Sequence, residues 1–239
     1  MLEYKSQKKT TFRCQEQEKR KMDRHGFAFT VNKGRLGAFL TELGKQWPQI
    51  REAAAAQRIS NFSIWSAELF FFGYYESESG EPCTEKLLDA LSELLGGNGA
   101  AGIMGNWISD PSCDMKLMYD DFRIVREDKS MIRHRVFMTH LLNGDTAEYR
   151  KRHDGKKAER KGMQDAGPDT NFSIWNAGDY IFGYDEIDTS MEHESAPEEL
   201  QDTITWERHM LDLMEWITDD VDWITGEHHS HVKRICWLQ

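Results

Sequence analysis

From about position 25 the chain alternates between short aromatic-rich apolar runs and longer stretches whose apolar residues recur every three or four positions. Residues 26–31 read as a strand. Gly34 breaks it, and the next segment carries Phe39, Leu43 and Trp47 at i, i+4 and i+8, one apolar face of a helix. Two aromatic runs, 61–65 and 69–75, are separated by Ser66-Ala67-Glu68 and predict a hairpin. The same succession returns later. A strand at 136–142 is broken at Asn143-Gly144, a second helical segment follows, and 171–175 and 180–184 form a second hairpin around Asn176-Ala177-Gly178-Asp179. Each half then predicts another helix; in the later half it runs over 198–217, with Trp206, Met210, Leu213, Met214 and Ile217 at helical spacing. A last strand is expected to close each half, at 115–126 and at 232–238.

The two halves are copies. Asn61-Phe62-Ser63-Ile64-Trp65 recurs as Asn171-Phe172-Ser173-Ile174-Trp175, an offset of 110. At that offset Phe72-Gly73-Tyr74 recurs as Phe182-Gly183-Tyr184, and Gly34, Phe27 and Ala67 recur as Gly144, Phe137 and Ala177. The period is too long for a solenoid and fits two fused small domains. Their βαββαβ order is the ferredoxin-like arrangement, an antiparallel sheet with both helices on one face. The bare faces of two such sheets can cover each other. The fold class expected is therefore α+β: two tandem ferredoxin-like domains packed sheet to sheet as a pseudo-dimeric α+β barrel. The domain limits read as 25–128 and 129–239, after a tail over 1–24.

Charge narrows the partners. The chain's net charge of −11 disfavours nucleic-acid backbone, whose binding needs a positive surface. The tail carries +4 and predicts a poorly ordered terminus. No run reaches the roughly eighteen apolar residues of a membrane span, and no signal-like stretch opens the chain, so a cytoplasmic protein is expected. Cys14, Cys83, Cys113 and Cys236 show no metal-type or disulfide spacing and read as free thiols.

A duplication carries its own control, because positions apolar in one copy and reactive in the other mark chemistry. Phe39 and Leu43 of the first copy become Tyr149 and His153 of the second. At i and i+4 a phenol and an imidazole share one helical face, with Cβ atoms about 5–6 Å apart. Buried without partners each would cost on the order of 1–3 kcal/mol, so they should meet a partner, water or a ligand. A satisfied polar spot at the core's edge is the structural alternative.

At this point the sequence resembles the L-rhamnose mutarotase family. The residues that carry the resemblance are Ala147-Glu148-Tyr149-x-x-Arg152-His153, the 171–175 and Phe182-Gly183-Tyr184 runs, the helix around Trp206 and Met210, and the terminal 232–238 strand. The resemblance spans about 130–239; the first copy keeps Trp47-Pro48 and the hairpin but not the Tyr and His. It implies interconversion of the α and β anomers of a sugar, without metal or cofactor, on a small-molecule sugar partner, in a chain that is the covalent version of a sheet-to-sheet dimer. By the resemblance His153 is the proton donor and Tyr149 a substrate contact. Arg152, Phe172, Trp206 and Glu207 are the candidate substrate-binding residues. Four positions depart from the family: Phe172 replaces a Tyr, Glu207 an aromatic, and Lys157-Ala158 a Trp-Pro. Glu207 could instead offer a carboxylate hydrogen bond to sugar hydroxyls. Two alternatives stand beside the enzyme: a non-catalytic carbohydrate-binding or assembly protein derived from a mutarotase, and another dimeric α+β barrel enzyme.

Other motifs read as structural. His228-His229-x-His231 lacks partner ligands for a metal. Gly96-Gly97-Asn98-Gly99 follows a helix rather than opening one and reads as a flexible loop. Asp185-Glu186-x-Asp188 and Asp219-Asp220-x-Asp222 read as solvated acidic faces.

Overall fold

A computed structural model describes residues 22–78, 85–97, 102–113, 115–121, 126, 128–159, 167–218 and 232–238. Most of the tail, Cys14, Cys83, the 228–231 histidines, the 219–222 acidic run and Asn98-Gly99 lie outside them. The first repeat comprises β1 (Met22–Val31), α1 (Leu36–Ala56), β2 (Ser60–Ala67), β3 (Phe70–Glu78), α2 (Glu85–Gly96) and β4 (Gly105–Trp107). The second comprises β6 (Ile132–Leu141), α3 (Thr146–Glu159), β7 (Asp169–Ala177), β8 (Tyr180–Asp188), α4 (Pro197–Met210) and β9 (Met214–Thr218). Between and after them run β5 (Lys116–Asp121) and β10 (Val232–Leu238).

The two sheets have the orders β10-β2-β3-β1-β4 and β5-β7-β8-β6-β9. In each, four strands stand in ferredoxin-like order and the fifth comes from the other repeat. This corrects the expectation that 115–126 and 232–238 close their own copies: β5 pairs with β7, and β10 with β2, both antiparallel. The position beside β1 or β6 is already filled by β4 or β9. The crossing strand therefore finds its unpaired edge on the other sheet, where it removes an exposed row of backbone donors and acceptors. The helix expected over 198–217 is corrected likewise. It stops at Met210, and Met214 begins β9, because an i, i+3, i+4 apolar series ending in a short strand looks the same as a longer helix.

Apolar side chains form three layers of core. One lies under α1 and α2 and includes Phe29, Phe39, Leu43, Phe62 and Leu91; another lies under α3 and α4. The third fills the space between the sheets, where Phe72 stacks on Phe182 at 5.4 Å and Tyr74 on Tyr184 at 3.7 Å. Each of these residues touches its own copy 110 positions away, which happens only beside a two-fold axis. The recurrent Asn-Phe-Ser-Ile-Trp follows from this geometry. Asn61 and Asn171 adopt φ of 49° and 56° at a bulge in β2 and β7, a left-handed backbone that Asn tolerates better than most residues. Phe and Ile point to the helices, Trp points between the sheets, and each Ser hydroxyl accepts the indole N–H of the Trp two residues on.

A buried polar cluster straddles the axis. Asn61 Nδ2 lies 2.9 Å from Glu76 Oε1 and 2.7 Å from Glu186 Oε1, and Asn171 Nδ2 reaches the same two oxygens at 3.0 and 3.2 Å. The Tyr74 and Tyr184 hydroxyls donate to Glu76 and Glu186, and Lys129 pairs with Glu186 at 2.7 Å. Burial, ahead of any charge, holds the Glu76 carboxyl above its usual range. Asp185-Glu186-x-Asp188 is accordingly not a solvated face. Strand alternation sends Glu186 into this cluster and Asp185 to the opposite side of β8, while Asp188 pairs with Arg126.

Candidate active site

A cavity of about 530 Å³ opens between the second sheet and helices α3 and α4. Tyr149 and His153 line it from α3, Trp206 and Glu207 from α4, Phe172 from β7, and Asp185 from β8. Five of the six residues singled out in the sequence thus meet at one space. Arg152 does not line it. One position round the helix from His153, its Nε donates to Glu148 at 3.1 Å and its guanidinium reaches the His209 carbonyl and Asp212, tying α3 to the end of α4.

His153 is 7% exposed and held from several sides. Tyr149 lies alongside at 4.5 Å between ring centroids, Trp206 stands perpendicular at 5.1 Å, and Tyr119 of β5 packs at 5.3 Å. The exchanged strand therefore helps to build this wall. Lys157, where the first copy has Trp47-Pro48 in its helix, spans Tyr119 and Asp120 and fastens β5 to α3. His153 Nδ1 is 3.0 Å from the Tyr149 carbonyl oxygen one turn earlier. A carbonyl only accepts, so Nδ1 carries the hydrogen, and in the neutral ring Nε2 is the basic nitrogen. Glu207 accepts the Trp216 indole N–H, which orients its carboxylate at the cavity wall.

The sheet side holds charges that the sequence reading missed. Asp185 is 5% exposed and stands directly opposite Arg135 of β6, while Asp169 comes from β7. Burial first, then the Asp169 charge, pushes the Asp185 carboxyl up to about 8 against the pull of Arg135. Its Oδ1 makes no hydrogen bond among the described residues. Comparing copies along the strands would have found these groups, since the same positions in the first copy are His25, Ile59 and Tyr75.

The corresponding region of the first copy is packed. Phe39, Leu43, Phe62, Ile59 and Tyr75 are buried together, His25 stacks on Tyr75 at 4.6 Å, and Cys236 takes the place of Tyr119. Burial pushes the Cys236 thiol up to about 12, which makes it a packing residue rather than a nucleophile. Among the described residues no group of three His, Cys, Asp or Glu could hold a metal ion, and no helix is long and apolar enough to cross a membrane.

The family model described as L-rhamnose mutarotase matches residues 134–235, from within β6 to within β10. No curated protein matches the chain. A solved structure titled as an anthrone oxidase-like protein is similar at a TM-score of 0.37 and 10% identity, over 92% of each chain.

Proposed function

We propose, from the family match of the second repeat, that the chain is a sugar mutarotase-like isomerase that interconverts the α and β anomers of an aldose such as L-rhamnose. One observation carries the reading. The repeat that matches the family opens a cavity with room for a hexose on Tyr149, His153 and Trp206, where its twin is filled by Phe39, Leu43 and Phe62.

Mutarotation opens and recloses a hemiacetal. A base must take the anomeric hydroxyl proton while an acid protonates the ring oxygen, and the aldehyde turns before closure. Imidazole suits proton transfer near neutral pH, a contribution of roughly 10²–10⁴-fold. His153, fixed by Tyr149 and the surrounding rings, supplies that group, with Trp206 as an apolar platform for the sugar's C–H face. Phe172 supports binding by contact area rather than by a hydroxyl, and Glu207 supports it by accepting from sugar hydroxyls.

The test is saturation transfer by NMR between the anomers of L-rhamnose and related aldoses. The wild-type chain accelerates exchange of at least one sugar, and His153→Ala lowers that rate by at least about 100-fold while circular dichroism stays unchanged. No acceleration for any aldose rejects the reading.

A further inference from the structure

We propose that Asp185 is the second acid–base group of this cavity, protonating the ring oxygen of a bound aldose while His153 Nε2 takes the proton of its anomeric hydroxyl. The inference rests on the mutarotase reading and adds to it the group that His153 alone cannot be. Ring opening needs an acid and a base at once, on two oxygens borne by the same carbon. The cavity has two walls. His153 stands on the helical wall and Asp185 on the sheet wall, and both line the same 530 Å³.

Three observations single out Asp185. It is buried, yet its Oδ1 makes no hydrogen bond among the described residues, which is costly unless a ligand or water completes it. Its register partner is Arg135, and the twin pair in the first copy is Tyr75 against His25, two rings stacked on each other. The carboxyl thus occurs in the copy with the imidazole and not in its filled twin. Burial and Asp169 together keep it protonated at neutral pH, the form that donates. In the neutral ring His153 has the complementary form, with Nδ1–H bound to the Tyr149 carbonyl and Nε2 as the basic nitrogen.

The protons balance. Nε2 removes the anomeric proton, that oxygen's electron pair forms the aldehyde, and the C1–ring-oxygen bond breaks toward the oxygen. The ring oxygen takes the Asp185 proton and becomes a hydroxyl. After the aldehyde turns, the Asp185 carboxylate recovers that proton as the hydroxyl attacks the other face. On reclosure the imidazolium is the proton donor, the role that the family resemblance gives His153, and returns its proton to the carbonyl oxygen, so both groups end as they began.

Other charges set the pH response. Arg135 of β6 favours the carboxylate, whereas Asp169 of β7 and Glu186 of β8 oppose it; Arg133 of β6 also lines the cavity and pairs with Glu192. Glu199 and Glu207 of α4, with Glu192 and His193 just before it, line the same cavity.

The experiment is the pH–rate profile of anomer exchange for the full chain, Asp185→Asn and His153→Ala. Wild type is expected to lose rate as pH rises through about 8. Asp185→Asn is expected to fall roughly 100-fold and to lose that alkaline limb. A wild-type profile without an alkaline limb overturns the proposal, and needs no variant to fold. Asp185→Asn at the wild-type rate also overturns it, and leaves the mutarotase reading intact if His153→Ala is inactive. Absence of exchange by wild type overturns both.

Discussion

His134 lies at a seam between the two sheets, and its ring chemistry bears on whether they stay together. It sits 5.8 Å from Trp65 of one sheet and 5.6 Å from Tyr184 of the other, with Arg234 of β10 at 3.5 Å from Nδ1. Burial leads in lowering its pKa to about 4, reinforced by Arg234 and Lys129 against the pull of Glu186. The folded state thus favours the neutral ring. That preference is fully felt above the unfolded pKa of about 6.5 and is lost as pH falls toward 4, a cost on the order of 2 kcal/mol after allowing for partial exposure. Melting of wild type should therefore drop between pH 7 and 4.5 by several degrees more than that of His134→Phe, which keeps both ring contacts. Equal slopes would show that another group dominates the acid response. No pattern along the chain announces this, because His134 corresponds to Arg24 in the first copy and periodicity says nothing about which strand residues face a seam.

At the level of elements, paired glycines position the ring that floors the cavity. Phe27 lies opposite Gly73 in register and Phe137 opposite Gly183, and a Cβ on Gly183 would fall 2.0 Å from the Phe137 ring. Each ring lies over its glycine, which is why Phe-Gly-Tyr recurs at an offset of 110. Gly183→Ala should displace Phe137 into the cavity, destabilising the chain by about 1–3 kcal/mol and weakening any ligand there, measurable by denaturant unfolding. Gly178→Ala, at an open turn with positive φ, should cost less and leave the cavity unchanged. Hairpins, the α1 and α3 faces, and the Tyr149–His153 pair were legible because repeat and period agreed there. The end of α4 and the three-residue β4 were not, since neither leaves a pattern longer than one turn or one alternation. Asp185 was legible only through the copies, since Tyr75 stands at its place in the first; a strand's alternation alone does not tell which face is a cavity.

The whole molecule is bound together by exchange of edge strands, so its two repeats are not separable units despite a boundary that reads cleanly near 128. A strand's composition fixes that it pairs, not with which sheet, and this is why the crossover escaped the sequence. Residues 129–239 made alone would lack β5, and with it Tyr119 against His153, and would bare Trp175, Phe182 and Tyr184 to water. The twin-on-twin stacking offers that fragment a remedy. Two copies can meet through the same faces, each placing β10 on the β7 edge of the other, where Cys236 takes the position of Tyr119. Sedimentation of the fragment should accordingly find a dimer or aggregate, and a folded, soluble monomer would mean that the exchanged strand is dispensable. In the full chain the space between sheet and helices is packed in the first copy and open as a cavity in the second. Covalent linkage makes that division possible, because each sheet need only fit one fixed partner and the filled copy can stabilise the one that bears charged groups.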